Sequence, residues 1–155
     1  MEKLPPIAKV YEAWSAVADG RVKLHPDEHS ATVTSSNGEK EYTVAWDENG
    51  ATYTSNDNAT YWQGYAGYPV IAVLMEQGRL PLDRAAAEAF AHVDWTDLNE
   101  RFKHDYAAAV AHVVAERGLD ATRVESAAQT AYDALAALDL AVKRGSVRPP
   151  ITKKA

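Results

Sequence analysis

The sequence predicts a single-domain α+β protein: an N-terminal helix, a three- to four-stranded antiparallel meander, then a helical C-terminal half. Three observations predict it. Apolar residues recur at helical spacing from Ile7 to Val17. Between residues 21 and 56 they alternate with polar ones, around an Asn37-Gly38 pair in which both residues tolerate positive φ. From Pro69 onward the helical spacing returns, interrupted at Gly78 and Gly118.

The first helix is read from Leu4 to Gly20. Pro5 and Pro6 stand at its start, where a missing N–H costs least. Ile7, Val10, Tyr11, Trp14 and Val17 form its stripe, and Gly20 supplies a left-handed stop. In the meander, Val22 and Leu24 share one face, followed by the turn His25-Pro26-Asp27-Glu28. Ala31, Val33 and Ser35 come next, then the hairpin, then Tyr42, Val44 and Trp46. Glu48-Asn49-Gly50 turns the chain into a last extended run, Ala51 to Ser55. In the second half, a short apolar helix opens at Pro69 and ends at Gly78. Asp83 caps a second helix through Phe90. Thr96 caps a third, carrying Leu98, Phe102, Tyr106, Val110 and Val113 as far as Gly118. Asp120 caps a fourth, with Val124, Ala128, Ala131, Leu135, Leu138 and Val142 as its seam. The short break at Gly118-Leu119-Asp120 predicts an antiparallel helix hairpin. The domain is expected to span 1–145, with 83–144 as a helical cap and 146–155 as a flexible tail around Pro149-Pro150.

Composition narrows the function. There is no cysteine. Disulfides, thiolate zinc sites, iron–sulfur clusters and cysteine nucleophiles are therefore excluded. The N-terminus lacks the apolar run of a signal peptide, and the stretch 69–75 is far short of the ~20 residues that span a bilayer. A soluble protein is expected, with no membrane partner and with a bacterial or archaeal cytoplasmic location as the simplest compartment. Net charge is −6, whereas a whole-surface nucleic-acid binder is usually basic. Lys143, Arg144, Arg148, Lys153 and Lys154 nevertheless gather in the last thirteen residues with no acid among them.

No catalytic, metal or cofactor constellation emerges. His25 and His29 flank Asp27-Glu28 without a third ligand. His104 and His112, eight apart, fit one helix face but lack a companion Glu motif. Asn56-Asp57-Asn58 lacks the spacing and the final Glu of a calcium loop. No cofactor is expected, and no catalytic residue is nominated.

Half of the chain's fourteen aromatics lie between Tyr42 and Tyr68. A strand, an irregular aromatic loop and a short apolar helix follow in order through NGATYTSNDNATYWQGYAGYPVIAVLMEQG, residues 49–78. Gly20 follows the first helix, Tyr42-Thr43-Val44 reads as a strand, and Gly67-Tyr68-Pro69-Val70-Ile71-Ala72-Val73 enters the apolar helix. This order, over residues 7–78, resembles the SWIM zinc finger, in which a Cys-x-Cys and a later Cys-x-His pair hold one zinc. On that alignment the ligand positions are Tyr53, Ser55, Gly67 and Pro69, none of them a good zinc ligand. The resemblance implies a SWIM-like core that has lost its metal and replaced it with an aromatic plug. It also implies nucleic-acid or protein contacts.

The function expected from this reading is a non-catalytic binding module. Its partner is a protein or a single-stranded nucleic acid, met through Asp57, Tyr61, Trp62, Tyr65 and Tyr68, with help from the basic tail. Two alternatives stand beside it. One is a small enzyme with a pocket between sheet and helices, favoured if Asp57, Tyr61 or His104 converge there. The other is a regulatory oligomer built on the helix hairpin. The bland reading of the same aromatics is core packing between the two halves. Oligomeric state is left open.

Overall fold

The computed structural model describes residues 1–151. The element order begins with α1 (Ala8–Ala18), β1 (Val22–His25), β2 (Ser30–Thr34), β3 (Glu41–Trp46) and β4 (Thr52–Ser55). It continues with α2 (Tyr68–Glu76), α3 (Arg84–Ala89), α4 (Trp95–Arg101), α5 (Tyr106–Glu116), α6 (Ala121–Ala137) and β5 (Ala141–Lys143).

The architecture is α+β, with one five-stranded sheet in sequential order, β1-β2-β3-β4-β5. The first four strands form the antiparallel meander. Its register places Ala31 opposite Val44, Val33 opposite Tyr42, and Trp46 opposite Tyr53. Because side chains alternate along a strand, this pairing puts Ala31, Val33, Val44 and Tyr53 on the covered face, where all four are buried. The opposite face carries Thr32, Thr43 and Thr54, none of them buried.

Helix α1 is the centre of the molecule. All ten residues from Ala8 to Val17 are buried. It packs on α2 and α3, and also meets α5 and α6, while α2 covers β1, β3 and β4. A helix apolar around most of its circumference has to be enclosed by other elements. Tyr11, Trp14 and Phe90 form an edge-on aromatic cluster in the core, and Trp95 stacks on Phe90 at 6.3 Å. Gly20, at φ 66, lets Arg21 N reach the Ala16 carbonyl (2.9 Å) and turns the chain into β1.

The second half departs from the expected pattern in two places. The single helix expected from Thr96 to Gly118 is two helices. Asp94 caps α4 by accepting from Asp97 N, and Asp105 caps α5 by accepting from Ala108 N. Lys103 and His104 adopt left-handed conformations between them. His104 and His112 therefore do not share a helix: His104 sits in the break. The seam expected to run through Val142 also stops early. Leu138 turns extended (ψ 128) at the end of α6. Val142 then lies in β5, which pairs parallel to β4 with Val142 opposite Tyr53. The meander thus gains a fifth, parallel strand, and the span 83–144 ends as sheet rather than as helical cap. Beyond it, the Arg148 carbonyl accepts from Asn56 Nδ2 (3.2 Å). Lys153 and Lys154 of the basic tail lie outside the described residues. No helix among the described residues is long and apolar enough to cross a membrane.

Candidate functional site

Where a helix is enclosed on all sides, its polar residues must find partners inside. In α1 these are Lys9, Glu12 and Ser15, three residues apart and so on one line of the helix. Ser15 Oγ accepts from Trp95 Nε1 (2.7 Å) and donates to the Phe90 carbonyl. Lys9 Nζ lies 3.0 Å from Glu12 Oε2 and 4.1 Å from the centre of the Tyr106 ring. Glu12 Oε1 accepts from Asn99 Nδ2 (3.1 Å). Burial opposes the charge on Lys9 most strongly, but Glu12, Tyr106 and Tyr65 together outweigh it and raise the Lys9 pKa.

Lys9 and Glu12 form one wall of a cleft of about 400 Å³. Tyr42 of β3, Tyr68 at the start of α2, edge to face with it at 6.2 Å, and Arg21 before β1 also line it. Ser36 and Lys40 of the β2–β3 hairpin form one rim, joined to α4 where Thr96 N donates to Ser36 Oγ (3.1 Å). Asn58 and Trp62 form the opposite rim, and His104 and Tyr106 close the side. Four of the eight buried polar or charged residues among those described, Lys9, Glu12, Ser35 and Asp57, line this one cleft. That concentration singles it out. A larger groove of about 820 Å³ runs along Ile7, Tyr11, Val110, Val114 and Leu119, but its acids, Asp105 and Glu125, are exposed and it buries no charge.

Arg21 is the least satisfied member of the cleft. Its Nη1 donates to the Thr34 carbonyl (2.6 Å) and its Nε to Asp19 Oδ2 (3.4 Å). Its Nη2 is buried with no hydrogen-bond partner among the described residues. Glu12 Oε2 has the Lys9 ammonium at 3.0 Å as its ion-pair partner and no other partner among the described residues. Burial raises the Tyr68 pKa; the neighbouring Tyr42 adds to the rise and Arg21 opposes it. Burial likewise pushes Tyr42 up to about 12, with Asp57 and Glu12 contributing. Both phenols are neutral hydrogen-bonding groups at neutral pH.

The five residues expected to bind occupy different environments. Asp57 is buried, and its carboxylate accepts from the Ser55 hydroxyl and from Thr60 N (3.0 Å). It holds together the single π-helical turn Ala59–Gln63. A Cβ added to Gly67 would overlap that carboxylate, so glycine is required there for room rather than for its backbone angles. Trp62 is 64% exposed and rests edge to face on Tyr61 at 4.7 Å. Arg144 lies over both rings, 5.0 Å from Tyr61 and 5.9 Å from Trp62. Tyr65 is half-buried under Lys3, whose ammonium stands 5.7 Å from the ring centre. Asp57, Trp62, Tyr65 and Tyr68 line the cleft, and Tyr61 does not. Of the four positions aligned with zinc ligands, Tyr53 is buried, with its hydroxyl donating to Gln77 Oε1 (2.7 Å). Ser55 and Gly67 flank the Asp57 carboxylate, and Pro69 is in the first turn of α2.

The sequence reading missed Lys9, Glu12, Arg21 and Lys40. The signal for the first two was present. From Ile7 to Val17, apolar residues surround the helix on every side except the line Lys9-Glu12-Ser15. Arg21 and Lys40 read as ordinary surface cations, since nothing local marks the ends of β1 and β3 as meeting α1. Among the described residues, no group of three or more His, Cys, Asp or Glu is placed to hold a metal ion.

No curated protein and no solved structure matches the chain. A family profile does, over residues 2–141, a span that takes in α1, the meander, the aromatic loop and the helices around the cleft. The chain belongs to the family described as uncharacterised conserved protein UCP014422.

Proposed function

We propose that the chain is a non-catalytic binding module for single-stranded nucleic acid, engaged at the loop 57–68 by stacking a base on Trp62. The observation that carries this reading is the environment of Trp62. It is a large ring left 64% exposed, packed edge to face on Tyr61 with Arg144 over it. Exposed aromatics interleaved with cations suit stacking on bases, at ~1–3 kcal/mol each. The cations of this acidic chain also collect here: Lys3 over Tyr65, Arg144 over Trp62, Lys40 at the facing rim. A local basic rim around an aromatic platform steers a phosphate backbone despite the net charge of −6.

The resemblance to a SWIM finger without ligands supports the same reading. On that alignment the Ser55–Asp57–Thr60 hydrogen bonds hold the loop where the family uses zinc. Of the three residues whose convergence would favour the enzyme alternative, Asp57 and His104 line the cleft and Tyr61 does not; the alternative is weaker because Asp57 is buried with both oxygens engaged. A protein partner is the second reading, favoured by the acidic net charge.

Fluorescence anisotropy with labelled single-stranded and duplex oligonucleotides at low salt tests the proposal. Single strands should bind in preference to duplex, with affinity falling steeply as salt rises. Absence of binding to any oligonucleotide, with specific capture of a protein instead, would move the assignment to the second reading.

A further inference from the structure

We propose that the cleft behind Trp62 receives the ribose of one nucleotide, so that the strand it selects is RNA rather than DNA. This inference rests on the single-strand reading above and adds the identity of the sugar.

Three features of the cleft carry it. The first is charge balance. Inside, Lys9 is paired with Glu12 at 3.0 Å and Arg21 with Asp19 at 3.4 Å, and the buried Asp57 carboxylate lines the same cleft. The interior therefore offers no net positive field to a phosphate. The cations placed for phosphate are Lys40 on the hairpin and Lys3 and Arg144 over the aromatic loop. The group that enters is neutral and polar.

The second feature is the kind of hydrogen bond left unmade. Arg21 Nη2 can only donate and Glu12 Oε2 can only accept; beyond the Lys9 ammonium 3.0 Å from Oε2, neither has a partner among the described residues. Both residues line the same cleft, and both charges act on the Tyr68 hydroxyl. A ligand that satisfies both must accept from one and donate to the other without carrying charge. A hydroxyl does this, since it is both donor and acceptor. Inside a strand the 3′ oxygen is esterified, so the ribose 2′-hydroxyl is the group that can, and deoxyribose lacks it. A site built to bond a hydroxyl discriminates strongly against the analogue without it, because its own buried groups are then left unpaired.

The third feature is shape. The cleft, about 400 Å³, is of the size that holds a small-molecule ligand. Trp62 and Tyr65 line it together with the polar groups of α1 and with Arg21, just before β1. A base at the aromatic rim and a sugar at the polar wall match the two halves of a nucleoside.

The test compares oligo-uridine with oligo-deoxyuridine, which share the base and differ only in the 2′-hydroxyl, by anisotropy at one fixed salt concentration. RNA should bind tighter by about tenfold or more, the change that one unpaired buried group carries. A 2′-O-methyl strand, which keeps the acceptor and loses the donor, should bind no better than DNA. Glu12→Gln should shrink the RNA-to-DNA ratio. The 2′-O-methyl comparison is made on the wild-type chain and so keeps the inference falsifiable if Glu12→Gln fails to fold. Equal binding of RNA and DNA overturns the ribose assignment and leaves the single-strand reading intact. Binding of the 2′-O-methyl strand as tight as RNA also overturns it. Failure of every strand to bind overturns the single-strand reading, and the inference with it.

Discussion

Gly67→Ala should destabilise the protein far more than an alanine at an ordinary exposed loop position. The backbone at Gly67, φ −71 and ψ 170, is one that alanine adopts without strain. The whole cost therefore comes from what the methyl group meets. A Cβ there would stand 2.7 Å from Asp57 Cγ and 3.0 Å from Oδ1. Asp57 has nowhere to retreat. It is 4% exposed, and its oxygens accept from Ser55 Oγ and Thr60 N. The Thr60 hydroxyl oxygen in turn accepts from Gly67 N (3.0 Å), so moving one member disturbs the others. Overpacking costs ~1–3 kcal/mol, and a buried donor stranded by the shift adds ~1–3 kcal/mol. A loss of roughly 3 kcal/mol is the central expectation, or about 6–12 °C in Tm for a domain of this size. Urea and thermal melts followed by circular dichroism measure it. Asp57→Ala should open room for the new methyl group. The double variant should therefore be more stable than the sum of the two single losses predicts. Wild-type stability for Gly67→Ala, or strict additivity in the cycle, would refute the account of the loop.

Other expectations follow from burial and titration. Val44→Asp should unfold the chain, since Val44 is fully buried opposite Ala31 and an unpaired charge there costs ~3 kcal/mol or more; a folded variant would mean that the strand face is wrong. Burial raises Tyr11 and Tyr42 from 10.0 to about 12. Folding thus tightens their hold on the proton, and the stability this gives is whole below pH 10.0 and lost as pH rises towards 12. Tm measured across that window should fall together with the appearance of tyrosinate absorbance, and a flat profile would contradict it. Truncation after Gly145 removes the bond from Asn56 to the Arg148 carbonyl but spares β5, so it should cost only about 1 kcal/mol. A collapse in Tm would show that the tail supports the sheet more strongly than this one contact does.

Much of the fold was legible because local chemistry and tertiary packing agree. Alternation from Val22 to Ser55, with turns at Asn37-Gly38 and Asn49-Gly50, places all four meander strands. Asp83 and Asp120 announce the starts of α3 and α6 by caps that the structure contains. The break between α4 and α5 was not legible. Its left-handed residues are Lys103 and His104, not glycine, and apolar residues keep helical spacing across it. The caps Asp94 and Asp105 decide the matter, and caps compete poorly with periodicity when a sequence is read by eye. β5 was hidden because Leu138 and Val142 continue the rhythm of α6, and a three-residue strand has no period of its own. The site was half legible. The aromatic loop is conspicuous in sequence, and Trp62, Tyr65, Tyr68 and Asp57 do border the cleft. Its polar wall comes from α1 and from Arg21 before β1, up to about fifty residues earlier, and only tertiary packing brings those charges to the loop.

The central claim is that Trp62 is a binding surface and not part of the core. Trp62→Ala, measured for stability and for binding to single-stranded RNA on the same preparation, tests it most directly. At 64% exposure the ring contributes little to folding, so Tm should stay close to that of the wild type. Binding should weaken by roughly five- to a hundredfold, the range that ~1–3 kcal/mol of stacking supplies. A large fall in Tm, of the kind a core tryptophan gives, or unchanged affinity in a stable variant, would contradict the account.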